Sequence, residues 1–282
     1  MKVYVSRKDL RRAAGHKILC GFSGVQVTPE LKEILREVQP LGLILFARNI
    51  ESLEQIAELN CELKRLRPDE PILLCVDQEG GRVARIREPA TLWPPARVLA
   101  ELNDASLAER VGEAMGVELR ALNFDFNLAP VLDVDTNPQN PVIGDRAFSA
   151  DPKRVSELGR ALIRGLHKAG MLACGKHFPG HGDTTKDSHL DLPFVDHDLD
   201  RLRRIEWLPF RDAIAAGLQA IMTAHVVVSS IDETKPATLS AEVLSHLREE
   251  LHFQGSILSD DIEMKALADR YSVAQIAQHG LR

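Results

Sequence analysis

Short runs of apolar residues alternate along the chain with longer amphipathic segments. Seven apolar runs have the length of buried strands, at His16–Phe22, Leu41–Phe46, Ile72–Asp77, Phe124–Ala129, Met171–Gly175, Ala220–His225 and Ser256–Ser259. The amphipathic segments have the period of helices, at Pro29–Gln39, Leu53–Arg67, Ser106–Leu122, Pro152–Ala169, Leu199–Ala216, Ala241–Leu251 and Glu263–His279. Apolar strands that alternate strictly with helices predict a parallel sheet covered by helices.

The pattern predicts one α/β domain over residues 1–282, a TIM-type (β/α)8 barrel that lacks its last β/α unit at the C-terminus. The residues after Asp269 supply no eighth strand. An open doubly wound sheet is the alternative fold, but no G-x-G-x-x-G follows any of the strands. An open barrel would expose strand edges and apolar core, so we expect the chain to be marginally stable or to associate with itself.

Composition narrows the class of protein. The net charge is −6, so no broad basic surface indicates a nucleic-acid or anionic-membrane partner. The sequence contains no run of about 18 apolar residues, so it predicts no membrane span. The N-terminus is charged where a signal peptide would be apolar. The four cysteines, Cys20, Cys61, Cys75 and Cys174, form no C-x-x-C pair, which favours a reducing cytoplasm.

Polar residues follow five of the predicted strands, where barrel enzymes keep their catalytic groups. They are Asp77, Arg82 and Arg85; Asp133, Asp145 and Arg146; Lys176 and His177; His225; and Asp260 with Asp261. The strongest signal is the segment from Lys176 to His189, which joins a Lys-His pair, a Pro-Gly loop and an Asp-x-His pair. An Asp two residues before a His can orient the imidazole and stabilise its protonated form.

Each of these residues also has a structural interpretation. Asp77 could pair with Arg82 or Arg85 to fasten a loop, Arg146 could pair with Asp145 at the surface, His225 could be a core histidine with satisfied nitrogens, and Asp260 or Asp261 could cap the last helix. His177, His181, Asp187 and His189 are zinc ligands by type. The His177–His181 spacing suits a ligand pair mainly on a helix, however, and Pro179-Gly180 prevents a helix there.

Four motifs together resemble the family 3 glycoside hydrolases, and within them the single-domain β-N-acetylglucosaminidases of bacterial cell-wall recycling. They are Asp77-Gln78-Glu79-Gly80-Gly81-Arg82-Val83, Lys176-His177-Phe178-Pro179-Gly180-His181-Gly182, Asp187-Ser188-His189 and Ser259-Asp260-Asp261. The ordered motifs span residues from about Gly21 to Met264, nearly the whole chain. Family members normally continue through an eighth strand and helix.

The resemblance implies retaining hydrolysis through a covalent glycosyl-enzyme, with Asp260 as nucleophile and His189, assisted by Asp187, as general acid and base. It assigns sugar binding to Asp77, Arg85, Arg146, Lys176 and His177, with Met222 and His225 lining the pocket. The implied substrate is a non-reducing β-linked N-acetylglucosamine, often on a peptide-bearing anhydro-muramic acid, and no metal or organic cofactor is implied.

Two other functions remain open at this point. Phosphorolysis of the same bond is possible because a histidine repels an incoming phosphate less than a carboxylate does. A non-catalytic binder of cell-wall fragments is the alternative from a different class, although the joint presence of Asp260, Asp187 and His189 argues against it. A β-glucosidase is disfavoured because two-domain relatives take their acid/base from a second domain, whereas this sequence predicts a single domain.

Overall fold

The computed structural model describes residues 6–188 and 191–280. Its strands are β1 (Leu19–Cys20), β2 (Gly42–Leu45), β3 (Leu73–Val76), β4 (Gln78–Gly80), β5 (Val83–Ala84), β6 (Phe126–Asn127), β7 (Leu172–Phe178), β8 (Phe194–Val195), β9 (Ala220–Thr223), β10 (Val227–Val228), β11 (Asp232–Pro236) and β12 (Ser256–Ser259). Its α-helices are α1 (Arg7–Gly15), α2 (Pro29–Val38), α3 (Leu53–Arg65), α4 (Ala96–Glu101), α5 (Ala105–Ala121), α6 (Pro152–Lys168), α7 (Leu199–Arg204), α8 (Leu208–Ala215), α9 (Ala241–Ser245), α10 (Lys265–Ala268) and α11 (Val273–Gly280).

Seven strands form the main sheet, in the order β1-β2-β3-β6-β7-β9-β12. Every neighbouring pair is parallel, so the sheet follows the chain order and each connection crosses over on a helix-containing segment. These are the seven strands that the apolar runs predict, and the parallel α/β fold is confirmed. In the described part of the chain, β1 and β12 are the two ends of this sheet.

The sheet is strongly curled. Alternate residues of its strands, among them Cys75, Phe126, Cys174 and Met222, pack into one apolar cluster on the inner face. Leu19 of β1 and Leu258 of β12 both pack against that same cluster, although they lie on the two outermost strands. A flat sheet of this width would hold its outermost strands far apart, at about 4.8 Å per strand, so the strands must curve around a shared interior.

The opposite face of the sheet packs against the helices. Leu43, Leu74, Ala173 and Ile221 point to this side and belong to the larger core cluster that includes α3, α5 and α6. Because neighbouring residues of a strand point to opposite faces, each strand contributes to both clusters. The residues that continue the inner face beyond Cys75 and Cys174 are Asp77 and Lys176, so the apolar interior leads directly into a polar end.

Several predicted helices are divided in the structure. The segment Leu199–Ala216 forms α7 and α8, because Pro209 suits the first turn of a new helix and not the interior of an old one. The segment Glu263–His279 forms α10 and α11, and Ala241–Leu251 is α9 followed by a π-helical turn over His246–Glu250. The sequence did not predict α1, α4 or the small sheets β4-β5 and β8-β10-β11. None of the described helices is long and apolar enough to cross a membrane.

Candidate active site

Lys176 occupies the centre of the polar end of the sheet. It lies on β7, and its ammonium group contacts Asp77 Oδ1 at 2.8 Å and Glu79 Oε1 at 2.7 Å. The side chain is only 3% exposed, and although burial alone would lower the pKa of Lys176, the two carboxylates raise it above its usual value. The ammonium has three N–H donors and these contacts use two of them, so a third donor remains for a ligand hydroxyl.

Arg146 is held by Glu79 in a two-point ion pair. Its Nε and Nη2 atoms each donate to one Glu79 oxygen at 2.8 Å, and both side chains are largely buried. Burial alone would raise the pKa of Glu79, but Lys176 and Arg146 hold it well below its usual range. Glu79 is therefore a buried carboxylate that joins the two cations, and the fork of the guanidinium fixes the geometry.

Asp133 holds His177 and His181 from a fully buried position. Its Oδ2 accepts from His177 Nδ1 at 2.7 Å, and its Oδ1 accepts from the backbone N–H of His181 at 2.6 Å. Since a carboxylate can only accept, His177 Nδ1 carries a proton and donates it to Asp133, and His177 Nε2 faces Arg146 Nη2 at 3.4 Å. Although burial would raise the pKa of Asp133, the neighbouring imidazoles lower it.

Asp260 follows β12 and is partly exposed at the same end of the sheet. Its Oδ1 accepts the N–H of Asp261 at 2.8 Å, and its own N–H donates to Thr223 O on the neighbouring strand. Burial opposes ionisation, but His177, His225, the Asp261 N–H and Lys176 together lower the pKa of Asp260. Asp260 is thus ionised at neutral pH and interacts electrostatically with residues of β7 and the segment after β9.

His225 is fully buried beside Asp260. Its nitrogens contact Thr238 Oγ1 at 2.8 Å and the Asp261 carbonyl at 2.9 Å, and burial lowers its pKa. Both nitrogens are therefore satisfied, as the core-histidine interpretation predicts. Met222 lies on β9 and is buried. It is in register with Lys176 on β7 and with Leu258 on β12.

The structural alternatives that the sequence left open have different outcomes. Asp77 pairs with Arg85 at 3.8 Å, as one of them allows, although Lys176 lies closer. Asp145 pairs with Arg82 at 3.1 Å and not with Arg146, because Arg146 turns inward to Glu79. Asp261 does not cap a helix, since its Oδ1 accepts from Glu263 N in a local turn and α10 begins at Lys265 after Met264.

The loop after β7 carries the Asp187-x-His189 motif. We call residues 181–191 the dyad loop. Asp187 is partly buried and Ser188 is buried, whereas His189, the predicted acid/base, lies outside the described residues. The structure therefore brings together Asp77, Arg85, Arg146, Lys176, His177, Met222, His225 and Asp260, and it does not test the position of His189.

The site holds no metal centre among the described residues. No group of three His, Cys, Asp or Glu side chains from residues 6–188 and 191–280 is arranged to bind a metal ion. His177 and His181, which the zinc alternative requires, are instead occupied by hydrogen bonds to Asp133, Thr184 and Ser188. His189, which that alternative also requires, lies outside this part of the chain.

Two carboxylates of the site were not assigned a role from sequence. Glu79 lies 67 positions from Arg146, and Asp133 lies 44 positions from His177. Both follow strands of the parallel sheet, and that position is the only signal in the sequence that could have selected them.

At the carboxyl ends of the strands of a curled parallel sheet, carboxylates, cations and imidazoles form a polar site suited to a ligand rich in hydroxyl groups. Comparison with known proteins identifies the family to which the site belongs. The profile of the glycosyl hydrolase family 3 N-terminal domain matches residues 13–282, and the chain belongs to that family of glycosidases.

Individual relatives agree with this assignment. A β-hexosaminidase of Pseudomonas aeruginosa is 44% identical over 249 residues, which cover 88% of this chain and 74% of the relative. The structure of a family 3 β-N-acetylglucosaminidase from a Paenibacillus strain has a TM-score of 0.94 and 40% identity, covering 96% of this chain and 53% of that one. NagZ from Neisseria gonorrhoeae, in complex with N-trifluoroacetyl-D-glucosamine, has a TM-score of 0.87 and 37% identity, covering 94% and 78%. The chain thus spans about three quarters of the Pseudomonas relative and about half of the Paenibacillus chain.

Proposed function

We propose that the protein is a retaining β-N-acetylhexosaminidase that releases terminal non-reducing β-N-acetylglucosamine from peptidoglycan fragments. The observation that carries the proposal is the position of the ionised Asp260 beside the Lys176–His177 pair, at the polar end of the sheet. The named β-hexosaminidase relatives, and a neighbour in complex with an N-acylated glucosamine, support the amino-sugar substrate.

The proposed reaction has two steps. Asp260 attacks the anomeric carbon while His189 protonates the departing glycosidic oxygen, so a glycosyl–Asp260 ester forms and the aglycone leaves. His189, then neutral, removes a proton from water, which attacks the same carbon, breaks the ester and releases the sugar with retained configuration. Asp187 orients His189. Among the described residues no hydrogen bond is made to Asp260 Oδ2, and this oxygen is the proposed nucleophilic atom.

The charges of the site suit a transition state with oxocarbenium character. Four carboxylates and three cations meet there, namely Asp77, Glu79, Asp133 and Asp260 with Arg85, Arg146 and Lys176. These seven groups carry one net negative charge, which favours positive charge developing on the sugar ring. In this proposal Asp77, Arg85, Arg146, Lys176 and His177 bind the sugar hydroxyls and the acyl group, and Met222 and His225 line the floor.

The proposed fold is a (β/α)8-type catalytic barrel in which these seven strands form all but the last β/α unit. The proposed place of action is the cytoplasm, which the four free cysteines support.

The test is release of chromophore from an aryl β-N-acetylglucosaminide by the parent chain and its Asp260→Asn form. We expect turnover by the parent to fall by roughly three orders of magnitude or more in the variant. Asp261→Asn is the matched control and should retain most of the activity. Sugar 1-phosphate formed on addition of phosphate would instead identify a phosphorylase, and substrate binding by a folded but inactive parent would indicate a binding protein.

A further inference from the structure

His181 makes two side-chain hydrogen bonds inside the dyad loop. Its Nδ1 contacts Thr184 Oγ1 at 2.6 Å and its Nε2 contacts Ser188 Oγ at 3.0 Å. All three side chains are buried, at 2% exposure or less. Thr184 Oγ1 donates its one hydrogen to the His181 carbonyl oxygen at 3.0 Å, so it accepts from His181 Nδ1, and the Ser188 hydroxyl donates to the unprotonated Nε2 of the neutral ring. The loop therefore folds around this ring, and Thr185 and Lys186 face the solvent.

The ring is kept neutral and is itself held by a residue of the sugar-binding cluster. Burial lowers the pKa of His181 to about 4. Its backbone N–H donates to Asp133, whose other oxygen binds His177. A chain of hydrogen bonds thus runs from His177 through Asp133 and His181 to Ser188.

Ser188 also contacts the segment that follows Asp260. Its carbonyl accepts from Ala266 N at 3.3 Å, in α10. In sequence, Ser188 lies between the two residues of the dyad. It is therefore the described residue at which the dyad loop is joined both to the sugar-binding cluster, through His181, and to the chain next to the nucleophile.

The ion pairs at the two ends of the loop are more exposed than the hydrogen bonds at its centre. Asp183 accepts from Thr136 at 3.0 Å and pairs with His197, and Asp191 pairs with Lys186 and Arg270 at 2.5 and 3.1 Å. Both members of each Asp191 pair are more than two-fifths exposed, so that contact contributes little to the position of the loop. The loss of a hydrogen bond between buried groups costs more free energy, so the hydrogen bonds of His181 contribute more to the position of the loop.

We propose that His181 is a positioning residue for the acid/base dyad, acting through Thr184 and Ser188. The imidazole fixes the backbone at Ser188, which in the sequence lies between Asp187 and the proposed acid/base His189. The inference rests on the proposed role of the dyad and assigns no chemistry to His181 itself. A small displacement of a proton donor is enough to lose much of its catalytic effect.

The experiment compares two substrates that differ in their need for a general acid. Phenyl β-N-acetylglucosaminide has a poor leaving group and requires protonation, whereas the 2,4-dinitrophenyl glycoside leaves largely unaided. For Ser188→Ala we expect kcat/KM to fall by about 10- to 100-fold on the phenyl substrate but by less than about threefold on the dinitrophenyl substrate. Thr184→Val should behave similarly, and Thr184→Ser, which retains the hydroxyl, should restore the phenyl activity.

Thr185→Ala is the matched control, because it changes an exposed side chain of the same loop and should leave both rates unchanged. An equal loss on both substrates, or the same loss in Thr184→Val and Thr184→Ser, would overturn the positioning role while leaving the glycosidase proposal intact. If Ser188→Ala does not fold, the Thr184 pair decides the question. No turnover of either substrate by the folded parent would overturn both proposals.

Discussion

Glu79 is the carboxylate that two of the three cations of the site share. It accepts two hydrogen bonds from Arg146 and one from Lys176, and its side chain is only 6% exposed. Its removal would leave two buried positive charges without their shared partner, and truncating one member of a buried ion pair is far more costly than removing an exposed pair. Glu79 therefore stabilises the fold as well as the arrangement of the sugar-binding cations.

We expect Glu79→Gln to lower the free energy of unfolding at neutral pH by about 3 kcal/mol, measured by urea denaturation. The folded-state pKa of Glu79 is depressed below its ordinary value of 4.5, so its contribution is present above pH 4.5 and is lost as the pH falls below it. The difference between parent and variant should therefore shrink in acid.

Asp145→Asn is the control for this measurement. It removes the exposed partner of Arg82 and should cost less than about 1 kcal/mol. A similar cost for both variants, or a difference that grows as the pH falls, would contradict the role assigned to Glu79.

Individual residues also show most clearly what could not be predicted from the sequence. The strand ends that carry Asp77, Lys176 and Asp260 could be recognised because each polar residue directly follows an apolar run. The pairing of Glu79 with Arg146 could not, since a local pattern favours the adjacent Asp145, whereas the actual partner is brought near by the curl of the sheet. The support of His177 and His181 by Asp133 is equally a product of tertiary structure.

At the scale of the elements, strands such as β2 and β3 were predictable because they lie in runs that are apolar on both faces over several residues. Two-residue strands such as β8 and β10 carry no periodic signal, and their sheet forms only through long-range pairing. Helix α1 is strongly polar and lacks the broad apolar stripe that identifies a helix from sequence. The predicted helix boundaries were wrong where a proline or a capping residue lay inside a continuous amphipathic pattern, as between α7 and α8.

The packing of α5 against α6 depends on the absence of a side chain at Gly165. A Cβ placed there would lie 2.0 Å from the carbonyl oxygen of Glu109 and 2.6 Å from the backbone nitrogen of Glu113. Backbone atoms cannot move aside as a flexible side chain can, so the two helices would have to separate. Helix α6 leads into β7, which carries Lys176 and His177, so the separation would also disturb the site.

We expect Gly165→Ala to destabilise the fold by about 2 kcal/mol, because overpacking outweighs the roughly 1 kcal/mol by which alanine favours a helix. The loss of stability is measured by thermal unfolding of the parent and the variant. Gly159→Ala, in the same helix, is the matched control: its Cβ would meet only Leu132 Cδ2, at 2.6 Å, and the cost should stay within about 1 kcal/mol. Equal effects of the two substitutions would show that backbone contact is not the cause.

At the scale of the whole molecule, the two outermost strands of the main sheet are its most exposed part. Ser256 and Ser259 of β12 are exposed, and a groove beside β1 is lined by Cys20, Phe22, Leu31, Ile34 and other residues. Ile34 is half exposed, and Ile18 and Leu41 next to β1 are 39% exposed. Strand edges with apolar neighbours can pair with those of another copy, so these edges favour self-association.

We expect this 282-residue chain to associate with itself, with a sedimentation coefficient that rises with protein concentration. Ile34→Glu should weaken the association, because it places a charge on the groove beside β1. Val117→Glu is the matched control, since Val117 is a 57% exposed apolar residue on α5, away from both edges. A chain that stays monomeric at every concentration and unfolds in one sharp, high-temperature transition would contradict the expectation. Equal weakening by both substitutions would instead assign the association to general surface hydrophobicity, because only the first lies at an edge of the sheet.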